Sequence, residues 1–561
     1  MKFKAWLPIL ALTLVLVFLL SACGQATTTA PAVTTTAAAT TAATVKPTTV
    51  APTSNPTTAA ATTTAPVATT GSAPKVKTGG ILKVGVSSDS VMLGDPTLSA
   101  SQNVDSILSR PAIERVCTVD TAGNVVPLLA QSFTMSYSEM SATITLNKGI
   151  TFSDGTPLNA DALLWNYQQC IDAKITSVAL IKSVVKVDDY TMKIYLSSWD
   201  ADAGYNITNV CIVSPTAWQS KGAAWGKLNP VGTGPFIIAS HQTDTLIKYT
   251  KNPNYWQKGQ PYLDEIDMVV IKDAVTRLNS FKAGEIDVDI DPTADQAKDL
   301  VSNTKYVVQL LHGAGSFRLG PDGGNPTSPW ANLAVRQALG YAIDRQSLVD
   351  AVFAGFGIPA TQWSAPGTWT YNPNITGYTY DPVKAAALLK TAGYDANNPL
   401  KTTLIGQNTD WGPLMLQALQ NMFAKVNIKA DINAVALAAL STVWNTGWKN
   451  GIGIRSLPPA PFMTSWGCNY VVYSNRSTWV SLYNDPALDD LAHQANSAPD
   501  MQTRQPLVWQ MWDTIFYKDA QQIPILIQDA IVLRYPYTND DGIYTTPLTG
   551  EWHPNTAWLN K

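Results

Sequence analysis

Ser183-Val-Val-Lys186 has the serine–lysine spacing of acyl-transferring serine enzymes. That chemistry places the serine at a helix start with the lysine one turn on. Here the four residues lie in β-branched sequence leading into a strand, so chance explains a motif this short. No G-x-S-x-G or H-E-x-x-H occurs, and the four histidines (241, 312, 493 and 553) are far apart in sequence. Cys117, Cys170, Cys211 and Cys468 show no C-x-x-C or metal-ligand spacing, and both free thiols and bridges remain open for them. We therefore expect no enzyme, no metal and no cofactor. What the chain does hold is flat aromatic surface, with 18 Trp and 21 Tyr. Many fall in one section: Trp363, Trp369, Tyr371, Trp411, Trp444, Trp448, Trp466, Tyr470, Trp479 and Tyr483. A cleft for amphiphilic ligands needs such walls plus a few polar anchors. About half of these rings are expected in the core, since Trp is highly buried on average.

The elements that must position these residues begin well after the N-terminus. Lys2 and Lys4 precede an unbroken apolar run from Ala5 to Leu20. That run is shorter than the roughly 20 residues a membrane-spanning helix needs and fits the core of an export signal. It ends in Leu20-Ser21-Ala22-Cys23, which resembles a bacterial lipobox. Residues 1–22 then read as a lipoprotein signal peptide, and Cys23 as the lipidated first residue of the mature protein. From Ala26 to Lys77 the chain is almost entirely Thr, Ala, Pro, Ser and Val. Such a tract cannot bury enough apolar surface to offset its ordering entropy, so 23–77 reads as a disordered stalk. The remainder carries 33 basic and 41 acidic residues, a net charge of −8, which argues against nucleic acid or an anionic membrane surface as partner.

The folded part reads as mixed α and β, without an internal repeat and without a long βαβ series. Strands are expected at Gly80–Val86, Ala142–Leu146, Lys186–Leu196 (two, around an Asp-Asp turn), Leu246–Thr250, Asp264–Ile271, Glu285–Ile290 and Ile523–Ile527. Helices are expected at Asn103–Val116, Ala162–Ala173 (capped by Asn159 or Asp161), Ala274–Lys282, Leu333–Ile343, Pro382–Ala392, Gly412–Lys425, Pro486–Ala495 and Gln502–Tyr517, with one more ending at Phe353. Gly313–Pro329 reads as a Gly- and Pro-rich break.

Four stretches occur together in order: Phe152-Ser-Asp-Gly-Thr-Pro-Leu-Asn-Ala-Asp161, Pro230-Val-Gly-Thr-Gly-Pro-Phe236, Asn252-Pro-Asn-Tyr-Trp256 and Val335-Arg-Gln-Ala-Leu-Gly-Tyr-Ala-Ile-Asp-Arg345. In this register they resemble the extracellular solute-binding protein family 5, the dipeptide, oligopeptide and nickel receptors of ABC importers. The likeness runs from about Gly80 to Gln528. It implies a periplasmic-binding-protein-like α/β fold of three lobes, with two main lobes hinged around a ligand cleft. By that resemblance lobe I is 78–104, 228–320 and 523–561, lobe II is 105–227, and lobe III, the ligand-binding lobe, is 321–522. Gly232 and Gly234 read as turn formers, and Arg336 and Arg345 as helix anchors without a ligand role.

The resemblance also bears on the ligand. Peptide-binding relatives carry Trp-x-x-Asp, whose carboxylate pairs with the peptide amino terminus, where this chain has Trp466-Gly-Cys-Asn469. A neutral amide supplies only a dipole, so a hydroxyl-rich ligand such as an oligosaccharide suits it better than a free ammonium. The ligand-binding candidates are Trp466, Asn469, Tyr470, Trp448, Trp411, Trp363 and Trp369. The expected protein is a monomeric receptor, lipid-anchored outside the cell membrane, that captures a small solute (peptide or oligosaccharide-like) for ABC permease subunits. The alternative is a stalked surface adhesin or wall-polymer-binding protein, and after it an acyl-serine hydrolase.

Overall fold

The computed structural model describes residues 76–98, 104–120, 124–457, 479–539, 542–543 and 552–561. These fall within one compact unit spanning 74–561. The export signal, Cys23, the stalk, Trp466, Cys468, Asn469 and Tyr470 lie outside the described residues.

In chain order the strands are β1 (Ile81–Val86), β2 (Cys117–Val119), β3 (Val125–Pro127), β4 (Ala130–Ser136), β5 (Ser141–Leu146), β6 (Ile181–Asp188) and β7 (Thr191–Leu196). There follow β8 (Phe236–Gln242), β9 (Leu246–Lys251), β10 (Glu265–Val270), β11 (Val288–Asp289) and β12 (Val307–Pro321). The last of the main strands are β13 (Gly357–Pro359), β14 (Leu400–Gln407), β15 (Ile428–Val435), β16 (Ile452–Leu457) and β17 (Ile523–Arg534). The fold is mixed α/β. One large sheet has the order β15-β14-β16-β12-β17-β11-β1-β10-β9-β8, with β13 also on β17. A separate antiparallel sheet, β4-β5-β7-β6, buries Ile144, Met192 and Ile194 together with Leu163 and Tyr167 of the helix Ala160–Asp172.

The large sheet explains the late strand. β17 pairs with β12 from Val307↔Arg534 to Leu319↔Ile523, and its end also pairs with β11. These two long strands carry the sheet from the β1–β10 flank, with its core of Val84, Ile266, Met268 and Val288, to the β14–β16 flank, with its core of Leu404, Leu416, Leu419 and Ile452.

The strand expected at Glu285–Ile290 is only Val288–Asp289, and four further departures from the sequence reading bear on how the site is built. The helix expected to Val116 spans only Val104–Ser109. Pro111 lacks an N–H and restricts the residue before it, so the helix stops there. The expected break at Gly313–Pro329 is largely strand, because β12 runs to Pro321. Its glycines serve close approach: a Cβ on Gly315 would stand 2.6 Å from Ser456 Oγ, and one on Gly320 2.7 Å from Leu482 Cδ2. Third, β14, the helix Gly412–Ala424, β15, the helix Leu437–Thr446 and β16 form a βαβαβ run whose neighbouring strands are parallel. β15 ends the sheet and exposes Lys429 and the residues from Asp431 to Ala434, and its charged and polar positions hide the hydrophobic signal of a buried strand. Fourth, neither Gly232 nor Gly234 has a positive φ. Both lie against backbone instead: a Cβ on Gly234 would be 2.5 Å from Pro111 O, and one on Gly232 would collide with Ala112 O.

Other motif residues tie segments together. Asn159 caps its helix by accepting from Ala162 N at 2.9 Å. Buried Glu114 accepts from Thr233 Oγ1 (2.9 Å), Tyr255 OH (2.7 Å) and Trp256 Nε1 (3.0 Å), which joins two of the quoted stretches. Burial pushes its carboxyl above the ordinary value, against the pull of those hydrogen bonds. Arg345 donates to the carbonyls of Ala360, Pro524, Gly340 and Tyr378, and Arg336 to those of Asp519, Trp330 and Ala331.

Candidate functional site

The βαβαβ run sets the place of the site. From β14 the chain crosses to β15 on one side, and from β15 it returns past β14 to β16 on the other. β14 and β16 pair only at Leu404↔Ile452 and Ile405↔Gly453, and beyond that point they part. A crevice at the carboxyl ends of strands, where the connections diverge, is the favoured ligand position in open α/β sheets. A cavity of about 290 Å³ lies there, lined by Gln407, Trp411, Leu440, Ser441, Trp444 and Arg455 among others. Ser441 and Trp444 are three residues apart on one helix and so share a face. Trp411 stands at the start of the helix Gly412–Ala424, its ring edge-on to Phe317 at 4.7 Å.

Behind the cavity wall is a tryptophan cluster. Trp444 stacks on Trp479 with centroids 5.1 Å apart and planes 6° from parallel, and Trp448 meets both edge-on. Trp448 is fixed by donating Nε1–H to Gly320 O (2.9 Å) and its backbone N–H to Ser481 Oγ (2.8 Å). Trp479 is fully buried at φ +59°, a region that a bulky side chain occupies at a cost and that is enriched at functional sites. Its indole Nε1–H has no acceptor among the described residues.

Two arginines complete the arrangement. Arg318 of β12 and Arg455 of β16 are directly opposite in an antiparallel ladder, so their side chains leave the same face of the sheet. The Arg318 guanidinium lies 3.7 Å from the Trp363 ring centroid and 6.0 Å from that of Trp479, while Arg455 lies 5.2 Å from Trp479. Arg318 is 1% exposed, and Nε, Nη1 and Nη2 all lack a hydrogen-bond partner among the described residues. Burial, with the repelling charge of Arg455 second, holds its pKa well below the ordinary guanidinium value. Burial alone brings Arg455 down to about 10.

The sequence candidates separate on this frame. Trp411 lines the cavity. Trp448 and Trp363 are buried members of the core behind it, Trp363 also packing on Trp512 at 5.5 Å. Trp369 is half-buried beneath the Arg504 guanidinium. The sequence reading passed over Arg318, Arg455, Gln407 and Ser441. A signal existed for the arginines: each interrupts an apolar strand, in Phe317-Arg-Leu319 and Gly453-Ile-Arg-Ser-Leu457. Ser183 lies on β6, not at a helix start, and Lys186 is held by Asp161 (2.8 Å) and Asp189 (2.9 Å). Cys117, Cys170 and Cys211 are buried free thiols. Among the described residues no cluster could hold a metal ion.

Comparison with known proteins agrees with this architecture. The profile described as bacterial extracellular solute-binding proteins, family 5 Middle, matches residues 124–470. The chain is 30% identical over 445 residues to heme-binding protein A of Haemophilus influenzae, covering 72% of this chain and 79% of that protein. It is 29% identical over 442 residues to di/tripeptide-binding protein 1 of Pseudomonas aeruginosa, covering 71% and 78% respectively. Among solved structures, the ABC transporter substrate binding protein CtaP from Listeria monocytogenes superposes with a TM-score of 0.76 at 21% identity, over 86% of this chain and 100% of that one. The chain therefore belongs to the bacterial extracellular solute-binding proteins of family 5, and it is a solute-binding receptor.

Proposed function

We propose that this receptor captures a small extracellular solute in the crevice at the ends of β14 and β16 and delivers it to the permease of an ABC importer. The observation that carries the reading is the 290 Å³ cavity at that switch point, with an aromatic wall and the polar groups of Gln407, Ser441 and Arg455 on one lining. Trp466, Asn469 and Tyr470, in the segment that follows β16, complete the site in this reading. Lobe I is assigned 78–104, 228–320 and 523–561, lobe II 105–227 and lobe III 321–522. Lobes II and III close on the ligand without catalysis. A contact suited to hold that closure joins 199–202 to 496–504: Trp199 Nε1 donates to Ala498 O, Ala201 N to Asn496 O, and Arg504 pairs with Asp202 at 2.6 Å.

In the same reading Cys23 is lipidated and the tract to Lys77 tethers the receptor outside the membrane. A flexible chain of that length spans roughly 40 Å r.m.s.. The relatives that bind di- and tripeptides or heme make a peptide or another polar small molecule the solute class to test first. The test is mass spectrometry of small molecules that co-purify with the full chain, followed by X-ray scattering with the identified molecule added back. A bound solute and a measurable compaction are expected. A protein that retains only wall polymer and never compacts would be an adhesin. Cys23→Ser should release the chain from the membrane fraction.

A further inference from the structure

A second groove lies in the segment assigned to lobe II and shares no lining residue with the cleft cavity. Its volume is about 360 Å³, within the range of small-molecule sites. Two helices and a turn frame it: Asn159 and Asp161 at the helix Ala160–Asp172, Thr216 and Gln219 on the helix Pro215–Lys221, and Thr156 of the turn after Phe152. Hydrogen bonds already fix that frame. Asp154 accepts from Thr156 Oγ1 and Ser214 Oγ, each at 2.6 Å, and Ser214 in turn caps its helix through Ala217 N (3.1 Å). Trp165 supplies the aromatic lining. Its ring meets that of Trp218 edge-on at 6.2 Å, and Trp218 is backed by Gly226, where a Cβ would collide with the indole.

The polar groups around the Trp165 ring are unengaged. Thr216 Oγ1, the Gln219 amide and Asn159 Nδ2 make no hydrogen bond to another described residue, while Asn159 Oδ1 serves as the helix cap. All three can donate, and the hydroxyl and the Gln219 oxygen can also accept. The one charge on the lining, Asp161, is matched by Lys186 at 2.8 Å. A flat ring rimmed by uncharged donors and acceptors complements a pyranose, whose C–H faces are apolar and whose hydroxyls radiate from the edge. A polyproline segment calls for an aromatic-lined groove with few donors. An anionic polymer calls for a free cation, and Lys186 is held by both Asp161 and Asp189.

We propose that this groove is a second ligand site, which takes a neutral saccharide unit on Trp165 with Asn159, Thr216 and Gln219 bonded to its hydroxyls. The inference goes beyond the receptor reading and does not rest on it. Occupancy of the groove leaves the cleft cavity free, because the two share no residue.

The test titrates the full chain with cellobiose, maltose and N,N′-diacetylchitobiose, followed by saturation-transfer NMR. Wild type should bind at least one of them. Trp165→Leu should weaken that binding about tenfold, and the double variant Thr216→Ala, Gln219→Ala about fivefold. Trp411→Leu, in the cleft cavity, should not weaken it. Both rim positions are exposed, so the double variant should melt within about 2 °C of wild type and still reports on the groove if Trp165→Leu unfolds. Retention on insoluble cellulose or chitin tells a glycan chain from a free sugar, and either source supports the site. Binding of none of the disaccharides by wild type overturns the inference. So does binding that the double variant leaves intact, or binding that Trp411→Leu abolishes, which puts the sugar in the cleft. A synthetic peptide of residues 47–75 that binds where the sugars do not, and is lost in the groove variants, makes the groove a dock for the tether and overturns the inference too.

Discussion

Glu114 offers the sharpest test of how the quoted motifs hold the fold. Its carboxylate accepts three hydrogen bonds from two segments more than a hundred residues away. Glu114→Ala would leave the Thr233 and Tyr255 hydroxyls and the Trp256 indole without that acceptor in a dry site. At about 1–3 kcal/mol for each buried donor, and with relief from rotating hydroxyls or an entering water, the loss should be about 4 kcal/mol. Glu114→Gln is informative because the donors differ. Trp256 can only donate, so the amide oxygen must stay on the side of Thr233 and Trp256, which share Oε2. The amide NH₂ then faces Tyr255, whose hydroxyl can turn to accept. That exchange should cost about 1 kcal/mol. Glu114 also ionises reluctantly, because burial raises its folded pKa above the unfolded value. Its contribution is therefore full below the unfolded pKa and declines as pH rises through the raised folded pKa, and the Gln variant should lack that decline. Urea titration at several pH values, followed by tryptophan fluorescence, measures both. If Gln is as damaging as Ala, charge matters more than acceptor geometry; if Ala costs under 1 kcal/mol, the site is wet and the reasoning fails.

Other outcomes can be stated more briefly. Arg345→Lys should destabilise by about 3 kcal/mol in the same titration, because one ammonium cannot serve carbonyls spread over Ala360, Pro524, Gly340 and Tyr378; a change under 1 kcal/mol would mean the helix is held otherwise. Cys117, Cys170 and Cys211 should resist a thiol reagent until the protein unfolds, since burial pushes the first two thiols up to about 12. Labelling of any of them in the native protein within minutes would contradict that. Burial, with the Asp485 charge second, raises Asp519 to about 6, while Arg336 and Lys518 oppose the shift. An acid whose folded pKa is raised weakens the fold as pH rises through that value. Asp519→Asn should thus melt higher than wild type at pH 7.5 and the same at about pH 3, below the unfolded carboxyl value, and an equal difference at both pH values would rule the cause out.

Much of the fold was legible locally. The strands at Ile81–Val86, Thr191–Leu196 and Glu265–Val270 alternate apolar residues, and Asn159, Asp273 and Asp344 announce their helices by capping them. Such signals need only neighbours in sequence, because a period or a cap is a property of a few consecutive residues. The family followed from four short stretches in order. The site did not follow in the same way. Trp363, Trp411 and Trp448 are alike in sequence, yet one lines a cavity and two lie beneath it, which depends on how β14 and β16 part. Gly315 and Gly320 look like turn residues and are strand positions, because what they avoid, Ser456 and Leu482, is over a hundred residues away. Arg318 looks like any arginine until β12 pairs with β16. Only that ladder sets it opposite Arg455 and against Trp363, and no neighbour in sequence foretells that its guanidinium finds no hydrogen-bond partner among the described residues. Local conformation is written residue by residue, whereas desolvation is a property of everything that packs around a charge, which only the tertiary structure decides.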